Sequence, residues 1–484
     1  MVKKMSKDIL YLDVPDMNKA RERINHCETY HYDYTPNAEI IKFLNGKNFF
    51  IRTYGCQANY RDEEYLSGIL SSLGMKKVDN LKNSDLVILN TCAVRENAED
   101  KVYGEVGDIK KLKETKKDLI LVICGCMIEQ KHIIEHMLST FRCVDIFMGT
   151  HNIKDLVMLL EKNHLEKKRV VCVSSKEGEV VEDLPSCRID KFKAFVNITY
   201  GCDKFCTYCI VPYTRGKERS RSFDEIIKEC KELVDSGYQE ITLLGQNVDA
   251  YGKDLGGENT FARLLAAVAE LGIPRLRFLT SYPSDFKDDV IDVIAKYPNI
   301  MKYIHLPVQS GSNGVLRRMA RRYTREEYLD LVKRIKNRMP NITLSTDIIV
   351  GFPNETYEEF SETVSLCKEV GFSSAYTFIY SPRKGTPAAR LVDDVPYLEK
   401  SKRFTELIRA LEVDFLAKAE EMVGTICPVL VENVSKKDSK YLSGYSENYK
   451  VVNFIGDPSL IGKIINIKIT ENHLFYLSGE IVNE

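Results

Sequence analysis

The sequence predicts an α/β protein in three parts: an open parallel α/β domain, a partial barrel of six βα units, and a small all-β barrel. Three observations carry this reading. Short apolar, β-prone runs alternate with helical stretches from Asn48 to Leu160, the same alternation resumes from Ala194 to Tyr380, and the last sixty residues break into short strand-like runs separated by turns. At 484 residues and 44% hydrophobic the chain can bury substantial cores, and its length suggests about three domains. A formal net charge of -1 gives no global attraction for a polyanion, so a nucleic acid would have to be met by local basic patches.

Residues 1–46 are polar and mixed in charge, with Tyr30, Tyr32 and Tyr34 but no strong periodicity, and read as an N-terminal extension. Strands are then expected at 49–53, 86–90, 119–124 and 144–148, with helices near 62–73, 96–112, from about 127, and near 153–160. This alternation over 47–162 is that of an open parallel sheet covered by helices. A charge-rich stretch centred on VSSKEGEVVEDLPS reads as a linker, 163–190. Six strand candidates follow at 194–199, 239–244, 275–279, 302–306, 342–349 and 374–380, inside a core placed at 191–418. Such an open version of the eightfold barrel gathers its sites at the C-terminal ends of the strands. After a turn-rich loop, SPRKGTPAARLVDDVP, a helical charge pattern runs over 397–422. Strands expected at 426–432, 440–443, 450–454, 464–469 and 474–481 complete a small barrel at 419–484.

The cysteines carry the chemistry. Cys202, Cys206 and Cys209 stand in a C-x3-C-x2-C spacing just after the first barrel strand, in NITYGCDKFCTYCIV. Three thiolates this close can wrap one soft-metal site. Tetrahedral zinc and the ordinary four-iron ferredoxin cluster take four ligands, so a compact set of three suggests a cluster with one iron left open. No fourth Cys or His follows before Cys230, which lies in a predicted helix. Fourteen cysteines in a chain of this length, no signal-peptide pattern and no long apolar run argue against a disulfide framework and a membrane span. The expected location is the reducing cytoplasm.

A second set is dispersed. Cys56 follows the first strand in TYGCQAN, Cys92 the second in ILNTCAVREN, and Cys126 the third in VICGCMIEQ. In a parallel sheet these loops leave from one carboxyl edge, where thiolates far apart in sequence can converge. The alternative is three isolated buried cysteines, the commonest fate of a free Cys. Cys124 lies within its strand and reads as core. Cys27, Cys143, Cys172, Cys187, Cys230, Cys367 and Cys427 show no partner spacing and read as structural.

With Tyr208 before its last cysteine, the first set completes C-x3-C-x-aromatic-C and resembles the signature of the radical S-adenosylmethionine (SAM) superfamily. TYGCQAN, DLVILNTCAVRENAED and CGCM ahead of it resemble the methylthiotransferase family, closest to its bacterial tRNA-modifying members, over roughly 47–482. That resemblance implies two 4Fe-4S clusters, one held by Cys202, Cys206 and Cys209 with SAM on its open iron, and an auxiliary one held by Cys56, Cys92 and Cys126. It also implies a (β/α)6 barrel and a C-terminal TRAM domain. Contacts to SAM are expected from Tyr208, from Gly245, Gln246 and Asn247 in LLGQNV, from Gln309 and Ser310 in HLPVQSGS, and from Asp347 in STDIIVGFPNET. Each of these after Tyr208 also reads as ordinary turn chemistry at a strand end. His305 reads as a satisfied barrel histidine. Two departures from the family pattern stand out, SYP at 281–283 where many relatives carry S-H-P, and Tyr445 where the usual Gly-Arg turn of the TRAM domain has Arg.

The implied activity is methylthiolation at C2 of N6-isopentenyladenosine beside a tRNA anticodon. SAM cleavage would supply a 5′-deoxyadenosyl radical, chemistry that belongs to the cofactor while the protein orients it. The nearest rivals are methylthiolation of threonylcarbamoyladenosine in tRNA and of a ribosomal-protein aspartate. An electron-transfer or cluster-carrier protein is the alternative of a different class. Arg215, Lys217, Arg219 and Arg221 alternate just beyond the clusters, and RRMARRYTR brings Arg317, Arg318, Arg321, Arg322 and Arg325 together. Both runs read either as phosphate contacts for a tRNA anticodon stem-loop or as a solvated charged face. The other expected partners are an electron donor such as flavodoxin or ferredoxin and a cluster-repair or sulfur donor, with no membrane and a monomeric enzyme.

Overall fold

The computed structural model describes residues 9–13, 20, 28–93, 96–174, 179–258, 260–435 and 438–482. The chain forms two compact units. The first takes the chain through Ile189 together with 199–205 and 209–225; the second takes 190–198, 206–208 and 226–484.

Along the first unit run β1 (Ile9–Asp13), β2 (Glu28–His31), α1 (Ala38–Leu44), β3 (Asn48–Thr53), α2 (Gln57–Ser72), β4 (Lys76–Lys77), β5 (Leu86–Thr91) and α3 (Glu96–Thr115). They are followed by β6 (Ile120–Gly125), α4 (Lys131–Thr140), β7 (Ile146–Met148), α5 (Leu156–Glu166), β8 (Val170–Ser174) and β9 (Glu179–Glu182). Seven of the strands make one parallel sheet in the order β1-β8-β7-β6-β5-β3-β4. LVILNT of β5 and ILVICG of β6 are buried at every position, as an unbroken apolar run is when both faces of a sheet are covered. Alternate residues divide between two cores. Ile88 and Val122 pack with Leu66 and Leu160, whereas Val87, Leu89, Leu121 and Ile123 pack with Val106 and Ile134. The two-residue period of a strand imposes that division.

Two segments that the sequence reading set outside this sheet contribute to it. Within 1–46, β1 pairs with β8 along its whole length. Within the charge-rich 163–190, VVCVS of β8 lies between β1 and β7, with Val170 and Val171 fully buried. Charged flanks hide so short an apolar run.

β10 (Lys193–Asn197) opens the second unit; β11 (Thr199–Tyr200), α6 (Val211–Thr214) and β12 (Arg219–Ser220) belong to the first, where β11 and β12 pair antiparallel. Then come α7 (Phe223–Asp235), β13 (Glu240–Leu244), α8 (Phe261–Glu270), β14 (Arg275–Phe278), α9 (Asp288–Lys296), β15 (Tyr303–His305) and α10 (Asn313–Arg318). α11 (Arg325–Arg338), β16 (Thr343–Val350), α12 (Tyr357–Val370), β17 (Ser374–Ile379) and α13 (Tyr397–Glu420) follow. All six expected barrel strands are present. β10-β13-β14 and β15-β16-β17 form two parallel sheets, with a parallel bridge between Leu276 and Ile300. Thr324 and Thr356 start α11 and α12 with capping boxes completed by Glu327 and Glu359, so each helix begins at a fixed residue.

The chain ends in β18 (Ile426–Val434), β19 (Tyr441–Ser446), β20 (Val451–Ile455), β21 (Ile464–Asn472) and β22 (Tyr476–Ile481), closed as a barrel in the order β18-β19-β20-β22-β21. Val429, Val431, Leu442, Phe454, Ile467 and Leu477 fill it. The β19–β20 turn is clasped by the rest of the second unit. Arg275 donates to the carbonyl oxygens of Tyr445 at 2.8 Å and Ser446 at 3.1 Å. Tyr445 stacks on Tyr449 with ring centres 4.6 Å apart, and the Arg277 guanidinium lies 3.7 Å from the Tyr449 ring centre. Tyr445, standing where the Gly-Arg turn would have Arg, therefore serves packing.

Candidate iron–sulfur and SAM-binding site

β3, β5 and β6 are parallel neighbours, so the loops after them leave from one edge of the sheet. Cys56 is the N-cap residue of α2, while Cys92 and Cys126 follow β5 and β6 and are buried. Gly55, at φ +112°, lies so close to Cys92 that a Cβ there would sit 2.7 Å from the Cys92 sulfur. Side chains larger than hydrogen are excluded at that point. The Cys126 N–H donates to the Thr91 carbonyl at 3.1 Å, tying the third loop to the second. Burial pushes the Cys126 thiol up to about 12; Arg215 opposes the rise, and Cys92 and Cys56 add to it. The Cys126 thiol is thus near enough to feel Cys56 and Cys92. Among the described residues no group of three Cys, His, Asp or Glu side chains closes on a single point as a mononuclear ion requires. An all-sulfur set of three, spread along one edge, has the chemistry that a four-iron cluster takes.

Arg215 completes this edge. Its Nε donates to the Cys126 sulfur at 3.2 Å, and its Nη2 donates to Asn59 Oδ1 at 2.9 Å and Asp62 Oδ2 at 2.8 Å. Asn59 in turn donates to the carbonyls of Tyr54 and Thr91, at the ends of two of the three loops. One buried guanidinium thus ties a thiol to the start of α2.

In the other set, Cys202 and Cys209 are half-buried and Cys206 is buried. Cys202 donates its N–H to the Gly216 carbonyl at 3.1 Å, and Gly201, at φ +71°, leaves no room for a Cβ beside Lys217 O. Within the second unit Arg321 donates to the Cys206 sulfur at 3.5 Å, to Pro307 O at 2.9 Å and to Tyr323 Oη at 2.8 Å. Thr207 is held by the carbonyls of Met319 and Arg318, and Tyr208 packs with Val315, Met319 and Phe352. Tyr282, of the SYP departure, lies face-on to Arg321 at 4.2 Å and accepts the Arg322 N–H. Each cysteine set therefore has one buried arginine with an N–H on a sulfur. In the sequence these two arginines are indistinguishable from their basic neighbours.

Beyond the strands, Gly245 and Gln246 are half-buried and Asn247 is buried. Asn247 donates to Asp285 Oδ2 at 2.7 Å, while its Oδ1 is buried without a partner among the described residues. Gln309 adopts φ +69° and bridges β16 through Asp347 O and Ile349 N–H. Ser310 is fully buried, its hydroxyl on Thr363. Asp347 is half-buried, its carboxylate 3.4 Å from His305 Nε2.

The basic runs face mostly inward. Arg215, Arg219 and Arg221 are 8%, 4% and 4% exposed, and Arg221 forks onto both oxygens of Glu182; Lys217 is half-buried. In RRMARRYTR, Arg318 pairs with Glu359, Arg325 with Glu369, and Arg321 is buried, which leaves Arg317 and Arg322 exposed. Acidic partners from distant segments turn these charges away from solvent.

Asp249, two residues beyond Asn247, accepts the Tyr282 N–H at 2.8 Å, and burial pushes its carboxyl from 3.8 up to about 8. A raised folded-state value favours the neutral acid, so its contribution is complete below 3.8 and is lost as pH climbs through about 8. Asp249→Asn is therefore expected to flatten the decline of the thermal midpoint across that window; an unchanged slope would assign the decline to another group.

Three family models match this chain: Radical SAM superfamily over 196–367, Uncharacterized protein family UPF0004 over 48–149, and TRAM domain over 420–482. Among solved structures the fold is similar to that of the radical S-adenosylmethionine methyltransferase TsrM from Kitasatospora setae. The TM-score is 0.52 at 14% identity, covering 71% of this chain and 75% of that one. Fold and cysteine spacing together define a radical SAM enzyme with a C-terminal TRAM barrel. Curated relatives named tRNA-2-methylthio-N(6)-dimethylallyladenosine synthase match nearly end to end. The one from Bacillus subtilis is 50% identical, covering 97% of this chain and 92% of the relative, and the one from Anoxybacillus flavithermus is 50% identical, covering 97% and 89%. The chain belongs to this tRNA methylthiotransferase family.

Proposed function

We propose that the chain is a radical SAM methylthiotransferase that converts N6-dimethylallyladenosine in tRNA to its 2-methylthio form. Identity of 50% over 97% of the chain to the curated synthases carries the reading. The enzyme takes SAM and two 4Fe-4S clusters, and tRNA is its binding partner.

We assign the SAM cluster to Cys202, Cys206 and Cys209, and the auxiliary cluster to Cys56, Cys92 and Cys126. The spacing of the first set and the shared sheet edge of the second support this. When bound, the clusters and SAM supply the radical and sulfur chemistry. The protein's own residues do the positioning. Arg215 and Arg321 place N–H groups on the sulfurs of Cys126 and Cys206, and Arg215 opposes the rise of the Cys126 thiol. Gly55 and Gly201 let backbone pass where a side chain would collide. Contacts to SAM are assigned to Tyr208, Gly245, Gln246, Asn247, Gln309, Ser310 and Asp347. The unpartnered Asn247 Oδ1 supports that role best, whereas the Ser310 hydroxyl is already engaged within the fold.

The tRNA would present its anticodon stem-loop. Arg317 and Arg322 are the exposed members of the basic runs and are the preferred phosphate contacts. Arg215, Arg219 and Arg221 act through structure instead. A flavodoxin or ferredoxin as electron donor, a cluster-repair or sulfur donor, a monomeric state and a cytoplasmic location complete the proposal. Among the described residues no helix is long and apolar enough to cross a membrane.

The test is nucleoside mass spectrometry. Anaerobically reconstituted enzyme, SAM and a reductant are given tRNA carrying either dimethylallyl or threonylcarbamoyl adenosine. A gain of one sulfur plus one CH2 on the dimethylallyl nucleoside alone is expected. Gain on the threonylcarbamoyl form alone would move the enzyme to the sister branch, and SAM cleavage without either product would redirect the search to a protein substrate.

A further inference from the structure

Tyr376 and Phe378 stand two residues apart on β17 and so project from the same face. They are 52% and 48% exposed, unusual for large aromatics on a barrel strand. In register, Tyr376 lies beside Asp347 and Phe378 beside Ile349 of β16. Ile349 and Tyr208 of the cysteine loop pack against the same cluster of Val315, Met319 and Phe352, so this face turns toward the cysteine loop, the inside of the partial barrel. His305, on neighbouring β15, meets Tyr376 edge-on at 5.7 Å, with its Nδ1 2.9 Å from Ser345 Oγ and its Nε2 3.4 Å from Asp347 Oδ1. The alternate residues Ala375, Thr377 and Ile379 are less exposed, and α13 packs on the strand. The inner face of β17 is therefore an apolar strip, bordered on one side by a carboxylate and an imidazole.

We propose that this strip holds the target nucleoside and selects its N6 substituent, a reading that rests on the function proposed above. The relatives' substrate, N6-dimethylallyladenosine, combines a flat purine with a branched apolar arm. Half-exposed aromatic rings on a sheet are stacking surfaces for single bases, since every base has a π-face. Phe378 with Ile349 offers the arm an apolar wall and removes it from water. A threonylcarbamoyl arm ends in a carboxylate, and it would meet Asp347 as a like charge while leaving its polar groups unpaired on the strip. Discrimination between the two RNA branches thus comes from an attractive surface and a repulsive one together. Nothing else on the inner face of β16 and β17 combines exposure with aromatic character.

The strip is tested by equilibrium binding of two synthetic anticodon stem-loops, one with dimethylallyladenosine and one with unmodified adenosine, to the reconstituted holoenzyme. Phe378→Ala is expected to weaken the dimethylallyl RNA about tenfold and the unmodified RNA about twofold or less, whereas Tyr376→Ala, which removes the stacking face, is expected to weaken both about tenfold. Phe378→Leu should recover most of the loss because it restores apolar contact. Both side chains are half-exposed, so truncation opens no buried cavity; unmodified-RNA binding reports a folded Phe378→Ala protein, and the thermal midpoint reports a folded Tyr376→Ala protein. Equal loss for both RNAs in Phe378→Ala, or loss for neither RNA in either variant, overturns the strip. Wild-type methylthiolation of the dimethylallyl stem-loop separates the two levels. Its absence sinks the proposed function, whereas its presence with indistinguishable variants sinks only this inference.

Discussion

Enzyme with alanine at Cys56, Cys92 and Cys126 is expected to form 5′-deoxyadenosine from SAM yet yield no detectable 2-methylthio product. Alanine at Cys202, Cys206 and Cys209 is expected to abolish SAM cleavage while iron remains bound to the other set. The separation follows from how the two sets are built. One is distributed over three loops at the edge of a seven-stranded sheet, whose cores do not include Cys56, Cys92 or Cys126. The other lies in one short loop, positioned through Gly201, Thr207 and Arg321. Cys126 packs in a small cluster with Ala93, Ile210 and Tyr213, and alanine keeps a small apolar side chain at each buried position, so each protein should fold. Iron content, 5′-deoxyadenosine by chromatography and modified nucleoside by mass spectrometry read the outcome. SAM cleavage surviving without Cys202, Cys206 and Cys209 would reject the assignment, and methylthiolation surviving without the other three would remove them from the reaction.

Arg215→Met should be the most damaging single change outside the cysteines. Its guanidinium is shared among a thiol, an amide and a carboxylate, all within 3.2 Å. Removing it strands Asp62, which is only 5% exposed, and uncompensated buried charges of this kind cost about 3–5 kcal/mol. Burial already opposes ionisation of Cys126, and Arg215 is the main influence pulling the other way. The variant is therefore expected to unfold at lower denaturant and to release auxiliary iron faster than wild type. Arg215→Lys should recover little, since an ammonium cannot reach three acceptors in a planar fork. Arg215→Met with Asp62→Leu should recover stability but not iron retention, because it removes the stranded charge without restoring the N–H on sulfur. Denaturant midpoints and iron-release rates check both statements; wild-type values in the single variant would show that the guanidinium network contributes nothing.

Much of this was legible beforehand because the strands announce themselves. LVILNT, ITLL and STDIIV are apolar runs bounded by turn residues, and each is a strand where expected. All three dispersed cysteines follow strands for the same reason. What escaped is what depends on partners far away in sequence. α2 begins at Gln57, five residues before the expected start, because NYRDEEY looks like a solvated stretch. In the fold Arg61, Asp62, Glu63 and Glu64 are all buried, matched by one another and by Lys77, Arg188 and Arg215. The inward turn of the RGKERSR arginines has the same origin: a charge pattern gives spacing, while its direction is decided by the acid it meets. β8 and β1 escaped because each is only five residues long and set among charged residues, too short for a period to be read.

The clasp on the β19–β20 turn has a mechanical meaning. A terminal RNA-binding module usually hangs from its linker, and what it gains is avidity, a raised local concentration set by tether length. Here Arg275 grips the turn through two carbonyls, Arg277 lies against Tyr449, and Lys450 reaches the Ser373 carbonyl at the start of β17. The module is fixed to β14 and to the residue just ahead of β17, the strand that carries the aromatic strip. The spacing between the small barrel and β17 is therefore set by the fold, like the fixed gap of a caliper, and not by the length of a tether.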